Sequence, residues 1–325
     1  MKKLSNVLMA ASLLPMCWSC GNKSKSEATP ELSISPLAIS AEVVANSYTI
    51  TVTANVAWTA ALEFEDLDTA WCEISPTEGT GNGTITVTVA LNAGVVPRSA
   101  TILVGSEGMS NRKSKVVQLG VELSDDEMLI GKLIWATKNV GEPGQFTASP
   151  DAPGLLYQFN RNVGYSFNDP CTPEWTVTEI DEDSDWLPQN SPAPEGWRIP
   201  TWEEVDDLFS RGFKWRNAGE SGYAANGLFV GNDEEIAALA TKENPQGCIF
   251  IPASGARDAV AGARARDWCM EIQTSRSTGR PDWAPVANSK TRVVIWADGG
   301  GLCDWSGDVQ SKARATSVRC VRDIK

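Results

Sequence analysis

Two hydrophobic periods divide this chain. In its first third, apolar residues alternate with threonine and other polar residues over short segments, which predicts strands with one buried face. The clearest segments are residues 48–53, 84–89, 98–104 and 115–119. Asn82-Gly83 indicates a tight turn between two of them. Short strands without a helical period predict an all-β, immunoglobulin-like sandwich with Trp58, Trp71 and Ile74 in its core.

A helical period replaces the alternation further along the chain. Its apolar residues recur at spacings of three and four and form one stripe. They are Trp202, Val205, Leu208 and Phe209. Thr201 and Glu204 have the spacing of a capping box, and Arg211-Gly212 predicts the end of the helix.

A second helix is predicted from Asp233 to Lys242, with Asn232 or Asp233 as its cap and Pro245 beyond its end. Strands are predicted in the same part of the chain at residues 130–135, 248–251, 291–296 and 316–321. Two helices among strands and long loops indicate an α+β fold.

The chain length and the acidic residues at 124–127 predict two domains, residues 31–122 and 123–325. The net charge of −13 argues against nucleic acid and anionic membrane surfaces as partners. The chain has no histidine, which excludes Ser-His-Asp and Cys-His catalysis and every metal site that needs imidazole. We expect no cofactor.

The N-terminus has the pattern of an export signal. Lys2 and Lys3 precede a short apolar run, and small residues flank Cys20. We predict a lipoprotein signal peptide at residues 1–19, lipidation of Cys20 and a flexible tether at residues 20–30. The alternative is plain secretion with cleavage nearby. The predicted location is the outer membrane, at the cell surface or on the periplasmic face, with the lipid anchor as the only membrane contact.

Six cysteines lie beyond Cys20, and an even number in an exported protein suggests disulfides. They are Cys72, Cys171, Cys248, Cys269, Cys303 and Cys320. Cys72 is alone in its domain and five lie in the distal half, so at least one distal thiol is predicted to be free.

Residues 31–122 resemble the BACON domain. The resemblance rests on Ala57-Trp58, on residues 71–76, 79–83, 98–100 and 118–120, and on Asn92. The name of that family implies carbohydrate binding, and its members often resemble spacers that hold a terminal module away from the membrane. We favour the spacer over the glycan binder, because Trp58 and Trp71 lie in strands where burial is expected.

Residues 123–325 resemble the major paralogous domain of Fibrobacter succinogenes (FISUMP), a relative of the C-type-lectin-like fold. The resemblance rests on residues 131–135, 138–140, 194–201, 251–257 and 317–323. It implies an α+β C-type-lectin-like domain, a fold that hosts lectins, adhesins and other protein-binding modules as well as an enzyme. Ala193 stands where the family often has cysteine, which puts one expected disulfide in doubt.

The candidate ligand site is a glycine-rich hairpin tip, residues 296–305. Trp296 and Trp305 flank it, and Asp298 and Asp304 offer acceptors for sugar hydroxyls. Trp268 and Trp283 are further candidates in polar loops, although tryptophan also packs in cores. Trp197 and Trp202 are assigned to the core.

The alternate carboxylates Asp181, Asp183 and Asp185 are a weak calcium candidate, because a solvated acidic loop explains them better.

The sequence therefore predicts a non-enzymatic envelope lipoprotein whose distal module binds a glycan or glycoprotein, for adhesion or polysaccharide capture. The alternative is a structural or assembly subunit, such as a fimbrial tip component that binds protein. No recognisable pair of catalytic carboxylates favours an enzyme.

Overall fold

The computed structural model describes residues 28–65, 68–169, 185–231, 233–258, 262–264, 269–270, 272–275, 290–297, 303–311 and 314–325. Within these ranges no helix is long and apolar enough to cross a membrane.

The described residues of the proximal part form nine short strands. They are Leu32–Ser35 (β1), Ala38–Ala41 (β2), Asn46–Ala54 (β3), Ala57–Phe64 (β4), Cys72–Ser75 (β5), Glu78–Thr80 (β6), Gly83–Val89 (β7), Arg98–Gly105 (β8) and Arg112–Gln118 (β9). They form a four-stranded sheet in the order β1-β3-β7-β5 and a five-stranded sheet in the order β2-β9-β8-β4-β6. Both sheets contribute to one apolar cluster, so the two sheets form a β-sandwich.

The alternating pattern explains this core. In β7, Ile85, Val87 and Val89 are buried while the threonines between them are exposed. Trp58 and Trp71 are each 3% exposed, which confirms that both tryptophans pack inside the sandwich. Ile74 is half-buried against the same cluster.

The part of the distal half that the structure describes contains more strands and two short α-helices. Its strands are Glu127–Ile130 (β10), Leu133–Asn139 (β11), Leu156–Tyr157 (β12), Gly164–Tyr165 (β13), Phe213–Arg216 (β14), Gly227–Val230 (β15), Ile249–Pro252 (β16), Ala256–Asp258 (β17), Gly262–Arg264 (β18), Cys269–Met270 (β19), Lys290–Ala297 (β20), Cys303–Ser311 (β21), Ala315–Ser317 (β22) and Arg319–Asp323 (β23). The helices are Trp202–Ser210 (α1) and Glu234–Leu239 (α2), and Pro188–Asn190 forms a 3-10 turn.

Within the described ranges the distal strands form four small sheets. Their orders are β10-β11-β23, β13-β12-β22-β17-β18, β14-β15-β16 and β19-β20-β21. The largest distal apolar cluster combines α1 with residues of several sheets, among them Trp135, Ile251 and Met270. The described residues are thus mostly β-structure with few helices.

Helix α1 matches its prediction closely. Val205, Leu208 and Phe209 are buried, and Trp202 packs half-buried against the same cluster. The capping box is present, since Thr201 Oγ1 accepts a hydrogen bond from the Glu204 N–H at 3.3 Å and Glu204 Oε2 accepts one from the Thr201 N–H at 2.7 Å.

Helix α2 is shorter than predicted. Asp233 is its N-cap, but the helix ends at Leu239 rather than Lys242. The N–H groups of Thr241 and Lys242 donate to Asn244 O and Ser221 O, so they leave the helical hydrogen-bonding pattern.

Two predicted strands are each divided in two. Residues 130–135 form a hairpin instead of one strand, because Gly131 adopts a φ of +64° and Ile130 pairs with Leu133. Residues 316–321 change sheets at Val318: β22 before it pairs with β12 and β17, and β23 after it pairs with β11.

The buried Arg319 joins two of these sheets from the last strand. Its guanidinium donates to Ala136 O of β11 and Phe250 O of β16, at 3.0 Å each. Burial lowers the pKa of Arg319 to about 9. The carbonyls of two sheets thus compensate part of the cost of burying this cation.

Candidate functional site

The predicted hairpin is present, and its backbone register assigns faces to its residues. Strands β20 and β21 pair so that Trp296 lies opposite Asp304 and Ile295 lies opposite Trp305. Residues directly opposite in an antiparallel pair share a face, and neighbours along a strand take opposite faces. The register positions of Trp296 and Asp304 are therefore on one face of the hairpin, and that of Trp305 is on the other.

The third strand of this sheet shows which face is directed at the core. In β19, Met270 pairs with Ile295, and Cys269 pairs with Trp296. Met270 is fully buried in the largest distal apolar cluster. The register position of Trp305 is on the Met270 face, whereas Trp296 and Asp304 are on the opposite face.

The remaining predicted site residues are placed only in part. Trp268, Trp283 and Asp298 lie outside the described residues, as do Cys20 and the calcium candidates Asp181 and Asp183. Asp185 is described and exposed. Within the described ranges no group of three or more histidine, cysteine or acidic side chains is arranged to hold a metal ion.

A second site lies at the turn that precedes α1. Trp197 N–H donates to Pro194 O at 3.0 Å, and Gly196 has a φ of +80°, so residues 194–197 form a glycine-dependent β-turn. Beside it lies a cavity of about 560 Å³, which we call the turn cavity. The residues that line it include Trp186, Glu195, Trp197, Arg198, Glu204 and Ser275.

Backbone hydrogen bonds hold the walls of the turn cavity in place. Ser275 O accepts from the Trp186 N–H at 2.7 Å, and the Ser275 N–H donates to Pro200 O at 2.8 Å. Arg198 pairs with Val321 of the last strand through two backbone hydrogen bonds, at 2.9 and 2.8 Å. Segments that are distant in sequence therefore meet around the cavity.

An ion cluster borders the turn cavity. Arg198 donates two hydrogen bonds to the Glu204 carboxylate at 2.7 Å each and one to Asp323 at 2.9 Å. The hydrogen bonds to Glu204, and then the one to Asp323, raise the pKa of the Arg198 guanidinium further above its ordinary value. The guanidinium is therefore permanently charged and already neutralised by two carboxylates.

The tryptophans of the turn cavity differ in burial. Trp186 is 7% exposed and its indole N–H donates to Asn190 O at 3.0 Å. Trp197 is half-buried and packs against a distal apolar cluster, as its assignment to the core predicts. Phe146 meets its ring edge-on, and the Arg322 guanidinium lies 5.7 Å from its ring centroid.

Residues 194–201 entered the sequence prediction as a family motif, with Thr201 as the helix cap, and no cavity was predicted there. The glycine-dependent turn was a local signal that Trp197 would sit at its end. No local signal connects Trp186 with Ser275, because their contact is a long-range tertiary one.

The sandwich carries a shallow polar groove of about 900 Å³ beside its edge strand β6. Thr59, Glu78 and Asn111 are among its lining residues. Trp58 is the one aromatic residue in the described lining. It is nearly inaccessible, and its indole N–H donates to Gly81 O at 3.0 Å. The groove therefore offers polar groups without an exposed ring.

Comparison with known families supports the proximal assignment. Residues 56–119 match the BACON family, described as "Putative binding domain, N-terminal". The match confirms the BACON resemblance within the predicted range 31–122. No curated protein matches this chain.

Comparison with solved structures finds partial matches at low identity. A Bacteroides ovatus GH5 xyloglucanase in complex with a XXXG heptasaccharide is 22% identical over 30% of this chain and 21% of its own, with a TM-score of 0.25. A Bacteroides thetaiotaomicron protein solved by NMR is 16% identical over 28% of this chain and 89% of its own, with a TM-score of 0.21.

The CsuC–CsuE chaperone–tip adhesion subunit complex from Csu pili of Acinetobacter baumannii is 10% identical over 34% of this chain and 81% of the matched chain, with a TM-score of 0.23. This chain spans about a fifth of the length of the xyloglucanase.

Proposed function

We propose that this chain is a non-enzymatic binding protein of the cell envelope. A lipid on Cys20 anchors it in the outer membrane, the sandwich acts as a spacer, and the distal C-type-lectin-like module binds an external glycan or glycoprotein. The match of residues 56–119 to a family described as a binding domain supports a binding role in general.

The observation that carries the glycan proposal is the register of the β20–β21 hairpin. Trp296 and Asp304 lie opposite each other on the face away from that of the buried Met270. An indole ring stacks on the apolar C–H face of a sugar, and a carboxylate accepts hydrogen bonds from its hydroxyls. One face of one hairpin thus combines the two chemistries that sugar recognition needs.

The test measures stability and affinity on the same samples. A glycan array with residues 21–325 first identifies a ligand. Trp296→Ala should then weaken binding at least tenfold, about 1.4 kcal/mol, and leave the melting temperature unchanged. Trp305→Ala is the matched control, since its register position on the Met270 face predicts a lower melting temperature instead.

Two results would contradict the proposal. One is unchanged affinity in a stably folded Trp296→Ala variant, which removes this face as the site. The other is the absence of any bound glycan, which leaves the protein-binding assembly subunit as the better hypothesis.

The anchor has its own test. Cys20 follows an apolar signal and has small neighbours on both sides, so Cys20→Ala should move the protein from the membrane fraction to the soluble fraction. A variant that remains in the membrane fraction would show that the anchor lies elsewhere.

A further inference from the structure

The turn cavity has the size and the mixed lining of a small-ligand site. Its volume of about 560 Å³ lies within the ~300–1,000 Å³ of typical ligand pockets. Two tryptophans provide apolar surface, and carboxylate and hydroxyl groups provide polar contacts. This combination requires a ligand that has both an apolar face and hydroxyl groups.

The charges around the cavity argue against an anionic ligand. Arg198 is the only cationic side chain in the described lining, and its guanidinium is already bound to Glu204 and Asp323 at 2.7 to 2.9 Å. Glu195 adds a further negative charge to the rim. A carboxylate or sulfate on the ligand would therefore meet repulsion without a free cation to pair with.

The same surroundings argue against a cationic ligand. A cation could meet the Glu195 carboxylate, which is exposed, so that solvent screening makes an ion pair there worth little. Its other partner would be the ring of Trp197, and the Arg322 guanidinium already lies 5.7 Å from the centroid of that ring. A second cation at this ring would be repelled by the first. The ligand that remains is neutral.

Polar groups of the lining remain available to such a ligand. Glu195 is exposed, and its carboxylate makes no hydrogen bond or ion pair with the described residues. The indole N–H of Trp197 and the hydroxyl of Ser275 likewise have no hydrogen-bond partner in the described part of the chain. These groups supply two donors and several acceptors near half-buried aromatic surface.

We infer that the turn cavity binds a neutral sugar unit of one or two rings, with Trp197 as the stacking platform and Glu195 and Ser275 as hydroxyl partners. The inference shares with the proposed function the idea of a glycan ligand, but it concerns a separate site that does not include the β20–β21 hairpin. The two sites would contact different parts of one chain or different glycans.

The test uses the full mature chain and defined probes. Saturation-transfer-difference NMR is recorded with maltose, cellobiose, lactose, N,N′-diacetylchitobiose, digalacturonic acid and choline. We expect at least one neutral disaccharide to bind, and neither the acid nor choline. Binding of none of the neutral disaccharides, or a preference for a charged probe, would overturn the inference.

Variants locate the binding. Trp197→Phe keeps a ring against Phe146 but removes the indole N–H and part of the stacking surface. It should lower the affinity for the disaccharide about tenfold. Glu195→Gln should lower this affinity severalfold. The control is Glu73→Gln, at an exposed glutamate of the sandwich, and it should leave the affinity unchanged.

The Trp296→Ala variant separates the two proposals. Disaccharide binding that survives Trp296→Ala and falls in Trp197→Phe supports the turn cavity. If binding falls only in Trp296→Ala, the inference about the turn cavity is wrong and the proposed function is retained. Equal melting temperatures of the variants and the native chain show that folding is not the cause.

Discussion

Three buried thiols show what single residues contribute in this fold. Cys72, Cys248 and Cys320 are free and buried, which confirms that the distal half has at least one free thiol. Burial raises the pKa of Cys72 and of Cys248 to about 11, and it raises that of Cys320 as well. These thiols behave as small apolar side chains, and burial makes them poor nucleophiles.

The raised pKa of Cys72 predicts a loss of stability at alkaline pH. The unfolded chain releases the thiol proton near pH 9 and the folded chain near pH 11. The stability that the protonated thiol contributes is therefore complete below pH 9 and is lost as the pH rises toward 11. Within that window, the titration of one such thiol should lower the free energy of unfolding by about 1.4 kcal/mol per pH unit.

The measurement is urea unfolding of the native chain and of Cys72→Ala between pH 7 and pH 10.5. The variant is less stable at neutral pH because it leaves a small cavity. The difference in unfolding free energy between the native chain and the variant should then become smaller above pH 9, because only the native chain has this thiol to titrate. Parallel pH profiles for the two proteins would show that this thiol does not titrate on unfolding.

At the scale of the element, α1 depends on one carboxylate with two functions. Glu204 accepts the Thr201 N–H in the capping box and binds the Arg198 guanidinium with both oxygens. Arg198 in turn contacts Asp323 of the last strand. The start of α1 is thereby linked to the C-terminal strand and to one wall of the turn cavity.

The cap gives a direct prediction for this element. Thr201→Ala removes the oxygen that accepts the Glu204 N–H and should lower the unfolding free energy by about 1 kcal/mol. Thr201→Ser keeps the oxygen and serves as the control, with a stability close to that of the native chain. Thermal or urea unfolding measures both, and equal losses in the two variants would assign the effect to the methyl group.

At the scale of the whole molecule, the apolar clusters of the two halves share no residue. The sandwich cluster contains buried residues from 32 to 116, and the distal clusters begin at Ile130. A cavity of about 240 Å³ lies where the halves meet, with Glu42 and Leu119 on one side and Ile134 and Arg322 on the other. Separate cores predict separate folding units.

Fragments test that prediction. Residues 31–122 and residues 123–325 should each unfold cooperatively, with melting temperatures close to those of the two transitions in the full chain. Circular dichroism and calorimetry on the three proteins make the comparison. A distal fragment that is unfolded alone would mean that the sandwich is required for its stability.

Local patterns were enough to predict several of these features. The stripe from Val205 to Phe209 and the capping box form α1 because every interaction they need lies within one or two helical turns. The alternation around Ile85 and Val87 likewise determines which side of a strand is buried, because the side-chain period of a strand is fixed at two.

Other features depended on contacts between distant segments. Val318 passes the chain from one sheet to another, because the pairing partners of β22 and β23 lie elsewhere in the sequence. The register that separates Trp296 from Trp305 follows from the pairing of three strands.

The sequence by itself therefore determined the class of the proximal half, the existence of α1 and the candidate residues on the distal hairpin, because these follow from short-range periodicity and composition. The tertiary structure alone decided which of those residues share a face and that Trp186, Trp197 and Ser275 surround one cavity. The physical reason is that a binding site is formed by side chains from separate segments, and their relative positions depend on packing and strand pairing that no local pattern specifies.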